Sequence, residues 1–518
     1  MLRSPWLLIL WTALVSWAQP GYSQVPADPA QVQFVQVIRA NKFIRVKQDL
    51  STELNMLVGN VLMKQGNTLI QCDSAIQNIA LNQIEAFDNI HINDNDSIHT
   101  YSNYMKYDGN TKIAQLKGKV RLTDGKGTLT TDALDYNVGT KIGTYSTGGK
   151  VVNEKSVLTS RVGIYYADIR EVYFQKNVSL VDPEYKMSTD TLLYNVNTET
   201  ATFIARTTIN DGKSKILTRS GFYNLKKGNA QFDKRPMIID STQTVLADSI
   251  VYNKKSGEGS AYRDVIYKDT IQGISMFAGA ARFNNQTKAI VAFERPLMAI
   301  KQNSDSLFIS ADTLFSAFLK KDSAKKILSD TLRYYKAFFN VRIYSDSLQG
   351  KCDSLFYSSV DSTFSFYHNP VIWAQASQIT GDTIFVVTRN KKADKVFVIQ
   401  NAFSVNRTSE AKYNQLKGNT LNGEFKDGEI DFLRAKGNGE SLYYLQDDDS
   451  AYIGMSYAMA DAITMKFLNK ELKRVSWVNG VTGSTYPINQ IPDDKKELRN
   501  FKWLDAERPK SIADLKLR

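Results

Sequence analysis

The sequence predicts an all-β fold built from stacked repeats of about 29 residues. The first observation is a fixed interval of 29 residues between the members of one series, Tyr107, Tyr136, Tyr165, Tyr194, Tyr223 and Tyr252. The second is turn chemistry, since Gly, Asn and Asp interrupt the apolar runs at short intervals. A repeat of this length indicates one supersecondary unit that buries its apolar face only against a neighbouring unit.

The first half of each repeat places its tyrosine in an alternating strand. The segments 132–137, 190–195 and 248–253 begin with Asp and continue with an apolar residue two positions before the tyrosine. Residues two apart share one face of a strand, so we predict an inward column beside the tyrosines. Its members are Met105, Leu134, Gly163, Leu192, Gly221 and Ile250.

The second half of each repeat predicts a short strand entered by Gly or Asn, as at 59–61, 88–90 and 176–178. Four residues before each tyrosine, the charge alternates in sign from Asp132 through Arg161 onward. If equivalent positions are neighbours, opposite charges face each other and set the register, at about 0.2–1 kcal/mol per pair.

The expected organisation has four parts. Residues 1–23 predict a secretory signal peptide, with Arg3, an apolar run and small residues at the cleavage region. Residues 24–300 form the regular repeats, 301–486 a less regular repeat segment, and 487–518 a charged tail expected to be flexible or docked outside the core. The segment 458–475 is compatible with a helix, but strand is favoured.

Composition restricts the class of partner only weakly. The net charge of +12 favours an acidic partner or serves solubility alone. Cys72 and Cys352 occupy similar local contexts many repeats apart, so we expect two buried free thiols rather than a disulfide. No stretch after the signal peptide is apolar enough to predict a membrane-spanning helix.

The sequence predicts no enzyme, cofactor or metal site. His91 and His99 flank Asp94, Asn95 and Asp96, and a polar turn explains this cluster better than a metal site does. No nucleophile–histidine–acid set, cysteine–metal spacing or phosphate-binding loop is present. Nothing in the sequence indicates nucleic-acid binding.

The inward column has two interpretations. It is the plain core of a β protein, or it lines a long apolar channel suited to acyl chains. The glycines Gly163 and Gly221, alternating with large residues, are expected to leave space in such a channel.

Several units in register resemble a known family. The Gly-Asn-Val unit at 59–61, the Cys-Asp-Ser units at Cys72 and Cys352, and the Asp-x-Leu-x-Tyr-Asn units resemble OstA-like proteins. These are relatives of the lipopolysaccharide-transport proteins of the LptA, LptC and LptD N-terminal type, and the resemblance covers about residues 35–400. It implies an elongated antiparallel β-jelly roll whose apolar interior carries lipid A acyl chains, with end-to-end stacking through edge strands.

The resemblance therefore implies a non-enzymatic periplasmic protein that carries or bridges lipopolysaccharide towards the outer membrane. Expected partners are lipopolysaccharide, other lipopolysaccharide-transport proteins, and membrane complexes contacted peripherally. The alternatives are a secreted β-helix that binds or degrades polysaccharide, and a structural or adhesive surface protein. Lys112, Lys119 and Lys141 are candidates for contacting phosphates near the opening. The expected lipid-binding groove consists of Met105, Tyr107, Leu134, Tyr136, Leu192, Tyr194, Tyr223, Ile250 and Tyr252.

Overall fold

The structure is a computed structural model that describes residues 35–47, 53–301, 306–318, 332–390, 392–426, 429–468 and 471–515. The described residues form β-strands and four short 3-10 helices, Ile488–Gln490, Asp493–Lys495, Asp505–Glu507 and Ala513–Leu515. The predicted all-β class is confirmed. The predicted signal peptide at 1–23 lies outside the described part.

The chain divides into two compact units. The first comprises the described residues up to 125 together with 133–140. Its strands are β1 (Gln36–Arg39), β2 (Lys42–Lys47), β3 (Glu53–Gln65), β4 (Thr68–Asn78), β5 (Gln83–Asp94), β6 (Ile98–Asp108), β7 (Ile113–Thr123) and the second half of β8 (Gly127–Asn137).

The second unit comprises 126–132 and the described residues from 141 onward. Besides the first half of β8, its earlier strands are β9 (Ile142–Tyr145), β10 (Gly149–Asn153), β11 (Ser156–Ser160), β12 (Val162–Tyr166), β13 (Glu171–Val181), β14 (Lys186–Asn195), β15 (Thr200–Phe203), β16 (Thr207–Asn210), β17 (Ser214–Thr218), β18 (Ser220–Asn224), β19 (Asn229–Asp233), β20 (Met237–Asp240), β21 (Gln243–Leu246), β22 (Ser249–Asn253), β23 (Glu258–Asp269), β24 (Ile274–Asn284), β25 (Ala289–Phe293), β26 (Leu297–Lys301), β27 (Ser306–Ser310) and β28 (Thr313–Phe318).

The strands of the later repeats follow in the same unit. They are β29 (Arg333–Tyr344), β30 (Gln349–Ser358), β31 (Thr363–Tyr367), β32 (Val371–Ala374), β33 (Ser377–Thr380), β34 (Thr383–Arg389), β35 (Lys392–Ser409), β36 (Lys412–Lys426), β37 (Glu429–Gln446), β38 (Tyr452–Leu468), β39 (Glu471–Val478) and β40 (Thr482–Pro487). The described residues of the segment 458–475, which are 458–468 and 471–475, are strand, as favoured from the sequence.

The strands pair in antiparallel ladders throughout the described residues. This contradicts the alternative of a right-handed β-helix, because that architecture stacks parallel strands.

The long strands are bent in the middle by two consecutive left-handed residues. In β5 these are Asp88 (φ 56°) and Asn89 (φ 47°), and the register with β6 shifts between Phe87 and Ile90. The same pair of left-handed residues occurs at Gly59–Asn60 in β3 and at Arg263–Asp264 in β23. Asn, Asp and Gly tolerate this conformation best, which explains the repeated motif. The prediction of a short strand entered at these positions is wrong, because the strand continues through the bend.

Each bent strand therefore contributes to two ladders. In β13 and β14, residues 171–175 pair with 191–195, and residues 178–181 pair with 186–189. Within each unit, we call the ladder that contains members of the 29-residue tyrosine series the tyrosine wall. The ladder on the other side of the bends is the acid wall, named for the aspartates at its far end. The space between the inward faces of the two walls is the interior.

Charges of opposite sign do not form the predicted ladder along the repeats. Asp248 pairs with Arg235 (2.9 Å) and lies 4.0 Å from Arg263. Both arginines are left-handed bend residues of neighbouring strands. Positions one repeat apart are separated by an intervening strand, since every repeat contains two, so Arg219 is not the neighbour of Asp248.

The C-terminal tail covers the outward face of the acid wall in the later repeats. Residues Val405, Gln415 and Leu442 lie opposite one another on β35, β36 and β37, and are 0–1% exposed. Their neighbours Ser404 and Leu416, which point to the other face, are also buried. Leu498 of the tail is 4% exposed in the same apolar cluster. The expectation that the tail stays outside the core is therefore wrong at Leu498.

Buried glutamines hold the main chain of the tail. The Gln415 side chain accepts a hydrogen bond from the Leu498 N–H (2.8 Å) and donates to the Lys496 carbonyl (3.1 Å). Gln378 binds the tail in the same way further along, through Leu504 and Lys502 (both 2.8 Å). An amide side chain carries both N–H donors and an acceptor oxygen, so it can pair with the tail as a strand edge would.

Both cysteines are buried free thiols, as predicted. Burial raises the pKa of Cys72 and of Cys352 to about 12 in each case. Neither thiol is therefore ionised to a useful degree near neutral pH, which fits a packing role rather than a reactive one.

Candidate functional site

The structure places the predicted groove residues on the inward face of the tyrosine wall. In the first unit, Met105, Tyr107, Leu134 and Tyr136 are at most 1% exposed. In the second unit, Leu192 and Ile250 are fully buried and Tyr223 is 7% exposed. Tyr194 and Tyr252 are half-buried. The two-residue alternation therefore assigned the inward face correctly at every one of these positions.

The acid wall supplies the opposite side of the interior. In the first unit its inward residues include Val61, Met63, Ile90 and Ile92, each at most 3% exposed. They belong to the second halves of β3 and β5, beyond the bends. Apolar side chains from both walls thus meet in a closed interior, and their burial is the main favourable contribution to folding.

Hydrogen bonds join the free ends of the two walls in the first unit. The Tyr136 hydroxyl donates to Asp94 Oδ2 at 3.2 Å, and the two residues are 42 positions apart in sequence. The Tyr107 hydroxyl binds the Gln65 side-chain oxygen, also across 42 positions. Asp94 additionally accepts a hydrogen bond from Thr68 (2.9 Å). We call this line of contacts, far from the bends, the rim.

The rim of the second unit uses charged partners as well. The Tyr194 hydroxyl is hydrogen-bonded to Asn153. Lys254 binds Glu184 at 2.8 Å, and Lys288 pairs with Asp240.

Arg333 provides the most buried rim contact. Its guanidinium lies 2.7 Å from the Asp269 carboxylate, with side-chain exposures of 0% and 3%. Arg333 also donates to the Tyr267 hydroxyl (2.6 Å) and to the Lys288 carbonyl, and it stacks on the Phe318 ring.

The acidic side of the rim is also marked in the sequence, by a periodic series that the predictions above do not include. Asp182, Asp211, Asp240 and Asp269 follow one another at the same interval of 29 residues as the tyrosines. Each ends a strand of the acid wall or begins its turn. A second periodic series, out of phase with the tyrosines, therefore marked the opposite edge of the interior.

Burial keeps the rim tyrosines protonated. It raises the pKa of Tyr107 and of Tyr194, and it raises the pKa of Tyr223 and Tyr267 to about 12. A neutral phenol donates its O–H, so Tyr107 and Tyr194 remain hydrogen-bond donors to the acid wall throughout the physiological range.

The glycines of the inward column do not leave open space. A Cβ atom on Gly163 would lie 2.3 Å from the Tyr145 ring, which therefore fills the volume above it. At Gly221 (φ +137°) a Cβ atom would lie 2.1 Å from the Gln231 carbonyl oxygen, so close strand approach requires glycine there. The expectation of free space beside these glycines is wrong.

The interior is tightly packed near the second unit's rim. A cavity beside Asp240, Tyr267 and Lys288 has a volume of only about 10 Å³. A space of this size holds at most one water molecule. An acyl chain would therefore have to separate the walls in order to enter.

The three candidate lysines take different positions. Lys112 and Lys141 lie in turns at the ends of the tyrosine wall, and Lys141 forms an ion pair with Asp168 (3.1 Å). Lys119 lies in a left-handed bend, at the opposite end of the wall. Lys119 is therefore separated from the rim.

His91 and His99 contact each other rather than Asp94. Their ring nitrogens are 3.1 Å apart, and the His91 ring stacks on Tyr101. Desolvation, followed by the charges of His99 and Arg121, lowers the pKa of His91. Within the described ranges there is no cluster of three or more His, Cys, Asp or Glu side chains arranged to hold a metal ion.

Comparison with known families identifies the first part of the chain. Residues 33–190 match the model of the OstA-like protein family. This region is similar to OstA-like proteins. It includes the bends at Gly59–Asn60 and Asp88–Asn89 and the rim contacts Tyr107–Gln65 and Tyr136–Asp94.

The OstA-like family is one of transport and binding proteins. A search of curated proteins finds no match. Among the described residues, no helix is long and apolar enough to cross a membrane.

Proposed function

We propose that this protein is a non-enzymatic periplasmic carrier whose interior binds the acyl chains of lipopolysaccharide. The observation that carries the proposal is the pair of apolar inward faces in each unit, found in a chain whose residues 33–190 are OstA-like. Acyl chains need apolar contact and no specific hydrogen bonds, and both inward faces supply such contact.

Entry of a chain occurs by opening of the rim. The walls are joined there by single hydrogen bonds and ion pairs, such as Tyr136–Asp94 and Lys254–Glu184. A typical hydrogen bond contributes about 0.5–1.5 kcal/mol net, so rim contacts break at far lower cost than the ladder within a wall. An acyl chain that fills the separated interior replaces the apolar contacts between the walls.

Exposed strand edges fit the expected protein partners. In the first unit β2 pairs with β3, and in the second unit β39 and β40 pair with β38, with no further ladder on their outer sides among the described residues. Such edges accept an added strand from a related transport protein. A periplasmic location follows from the signal peptide predicted at 1–23.

Photocrosslinking tests the proposal. A photoreactive amino acid at Leu134 or Leu192, both at most 1% exposed and inward, should yield adducts with lipopolysaccharide. Asp135 and Leu193 are the matched controls, because each is the next residue on the same strand and points to the opposite face. Adducts from the controls at equal yield, or none from the inward positions, would disprove binding in the interior.

The same experiment distinguishes a structural or adhesive role from binding of lipopolysaccharide. A protein of that kind would yield no lipid adduct from Leu134 or Leu192 in cells that make lipopolysaccharide. Extraction of the purified protein with organic solvent, followed by mass spectrometry, would then recover no fatty-acid-containing molecule.

A further inference from the structure

The docked tail forms one side of an open cavity on the second unit. Its volume is about 480 Å³, and it lies between residues 506–515 of the tail and the bend region of β26, β27 and β29. This volume is within the range of small-ligand sites, roughly 300–1,000 Å³. The cavity lies outside the interior, because Arg342 in its lining is flanked by Val341 and Ile343, which point inward and are buried.

Charged side chains dominate the lining. Four are cationic, Arg295, Arg342, Arg508 and Lys510, and three are anionic, Asp312, Glu507 and Asp514. Whether such a cavity prefers a cation or an anion depends on which of these charges the protein already satisfies.

The carboxylates already have protein partners. Asp312 accepts a hydrogen bond from Asn340 (2.9 Å), and Glu507 pairs with Lys351. Asp514 accepts from the backbone N–H groups of Lys510 (2.7 Å) and Ser511 (2.9 Å). These contacts hold the three acids in the wall of the cavity, and Lys351 also offsets the charge of Glu507.

Two of the cations in the lining are also held by the protein. Arg508 donates to the Gln349 side chain (2.8 Å) and to the Gln375 carbonyl (2.8 Å). Lys510 lies 3.8 Å from the Asp505 carboxylate.

Arg295 and Arg342 are different. Neither guanidinium forms a hydrogen bond, or an ion pair within 4 Å, in the part of the chain that the structure describes. The charge of Arg342 helps to lower the pKa of Asp514, but the backbone N–H groups that bind this carboxylate contribute more to the lowering. Arginine presents paired N–H donors that match the oxygens of a phosphate group.

We propose that this cavity binds a phosphate-bearing molecule about the size of a phosphorylated sugar, with Arg295 and Arg342 holding the phosphate group. The tail completes the site through its residues 506–510. The phosphate group belongs either to a free sugar phosphate or to the phosphorylated headgroup of a lipid. The proposal is independent of acyl-chain binding, because the cavity and the interior are separate.

The test is titration calorimetry on the full mature chain at low ionic strength. The probes are glucose 1-phosphate and, in a second arm, micelles of lipid A with and without its phosphates. Arg342→Gln and Arg295→Gln should each weaken binding of the responding probe by about tenfold or more, the loss expected for a charge-assisted hydrogen bond. Ala506→Trp should also abolish binding, because it fills the cavity without changing its charge.

The control is Arg219→Gln, which removes the same charge from an exposed position outside the cavity and should leave the affinity unchanged. A response to glucose 1-phosphate assigns a free sugar phosphate, and a response only to phosphorylated lipid A assigns a lipid headgroup. Equal weakening by Arg219→Gln would show non-specific attraction and overturn the site. Absence of binding by the unmodified protein to every probe at millimolar concentration would overturn it as well.

Discussion

The Arg333 guanidinium and the Asp269 carboxylate form an ion pair of 2.7 Å that solvent does not reach. The two residues are 64 positions apart and join the tyrosine wall to the acid wall at the rim. Among the residues that the structure describes, Arg333 Nε has no partner, so the ion contact and the Tyr267 hydroxyl stabilise the pair there.

Loss of one partner of this pair should be costly. Arg333→Ala leaves the Asp269 charge buried and unpaired, and should lower the free energy of unfolding by about 3–5 kcal/mol. The double change Arg333→Met with Asp269→Leu should cost much less than Arg333→Ala alone, because no buried charge remains. Chemical denaturation measures both values.

The exposed pair Arg45–Glu53 is the control for that measurement. Its side chains are 59% and 45% exposed, so Arg45→Ala should change stability by less than about 1 kcal/mol. A small loss for Arg333→Ala would show that water reaches Asp269 in solution.

Two substitutions of Tyr136 separate the stability contributed by its rim hydrogen bond from the stability contributed by its buried ring. Tyr136→Phe removes the donor to Asp94 and should cost about 1–2 kcal/mol. Tyr136→Ala also removes the buried ring and should cost about 3–5 kcal/mol. Thermal or chemical denaturation distinguishes the two variants.

The same substitution also tests the route of entry. If acyl chains enter through the rim, Tyr136→Phe should raise the yield of lipid crosslinks from Leu134, because one contact that closes the walls is lost. An unchanged or lower yield would place the entry elsewhere, for example at the end of a unit.

His91 should make the first unit less stable in mild acid. Its folded pKa lies below the ordinary value of 6.5, because of desolvation and then the charges of His99 and Arg121. The unfolded chain therefore binds the proton more readily, and stability falls as the pH decreases below about 6.5 until the folded pKa is passed. Above that range His91 is neutral in both states and has no such effect.

Denaturation of the protein and of His91→Phe at pH 7.5 and pH 5.5 tests this expectation. The variant should lose less stability between the two pH values than the unmodified chain does. An equal loss in both proteins would assign the pH dependence to other groups.

The contact between Gly163 and Tyr145 predicts intolerance of a single methyl group. Gly163→Ala would place Cβ 2.3 Å from the ring, and the forced shift should cost about 1–3 kcal/mol. Gly350→Ala is the matched control, since its Cβ would meet no atom closer than 3.6 Å. If both variants have the same denaturation midpoint, the Tyr145 ring is free to move aside in solution.

The periodic part of the fold was predictable because the alternation of side chains in a strand and the length of a repeat depend only on residues close together in the sequence. Leu134 with Tyr136 and Leu192 with Tyr194 share the inward face, as residues two apart in a strand must. The partners of Asp248 were not predictable in the same way. The bends determine which residues are neighbours across the ladder. The repeat length alone does not show that each repeat contains two strands, so it does not identify these neighbours.

The tail and the rim show the same limit. Gln378 and Gln415 bind main-chain groups of the tail, and main-chain groups carry no residue pattern that a sequence reveals. The rim acids did have a pattern, in the series that ends at Asp240 and Asp269. It was hidden because aspartate is also the ordinary residue of a turn, so each one was explained locally.

The left-handed bends fix which side chains of each strand point inward and which point outward. Asp88–Asn89 and Lys176–Asn177 each fix where a strand passes from one wall to the other. One inserted residue between a bend and the next rim contact exchanges every inward side chain for an outward one up to that contact. Gain or loss of a complete repeat preserves this phase, so evolution can change the length of such a chain in whole repeats while length changes of one residue are confined to the turns.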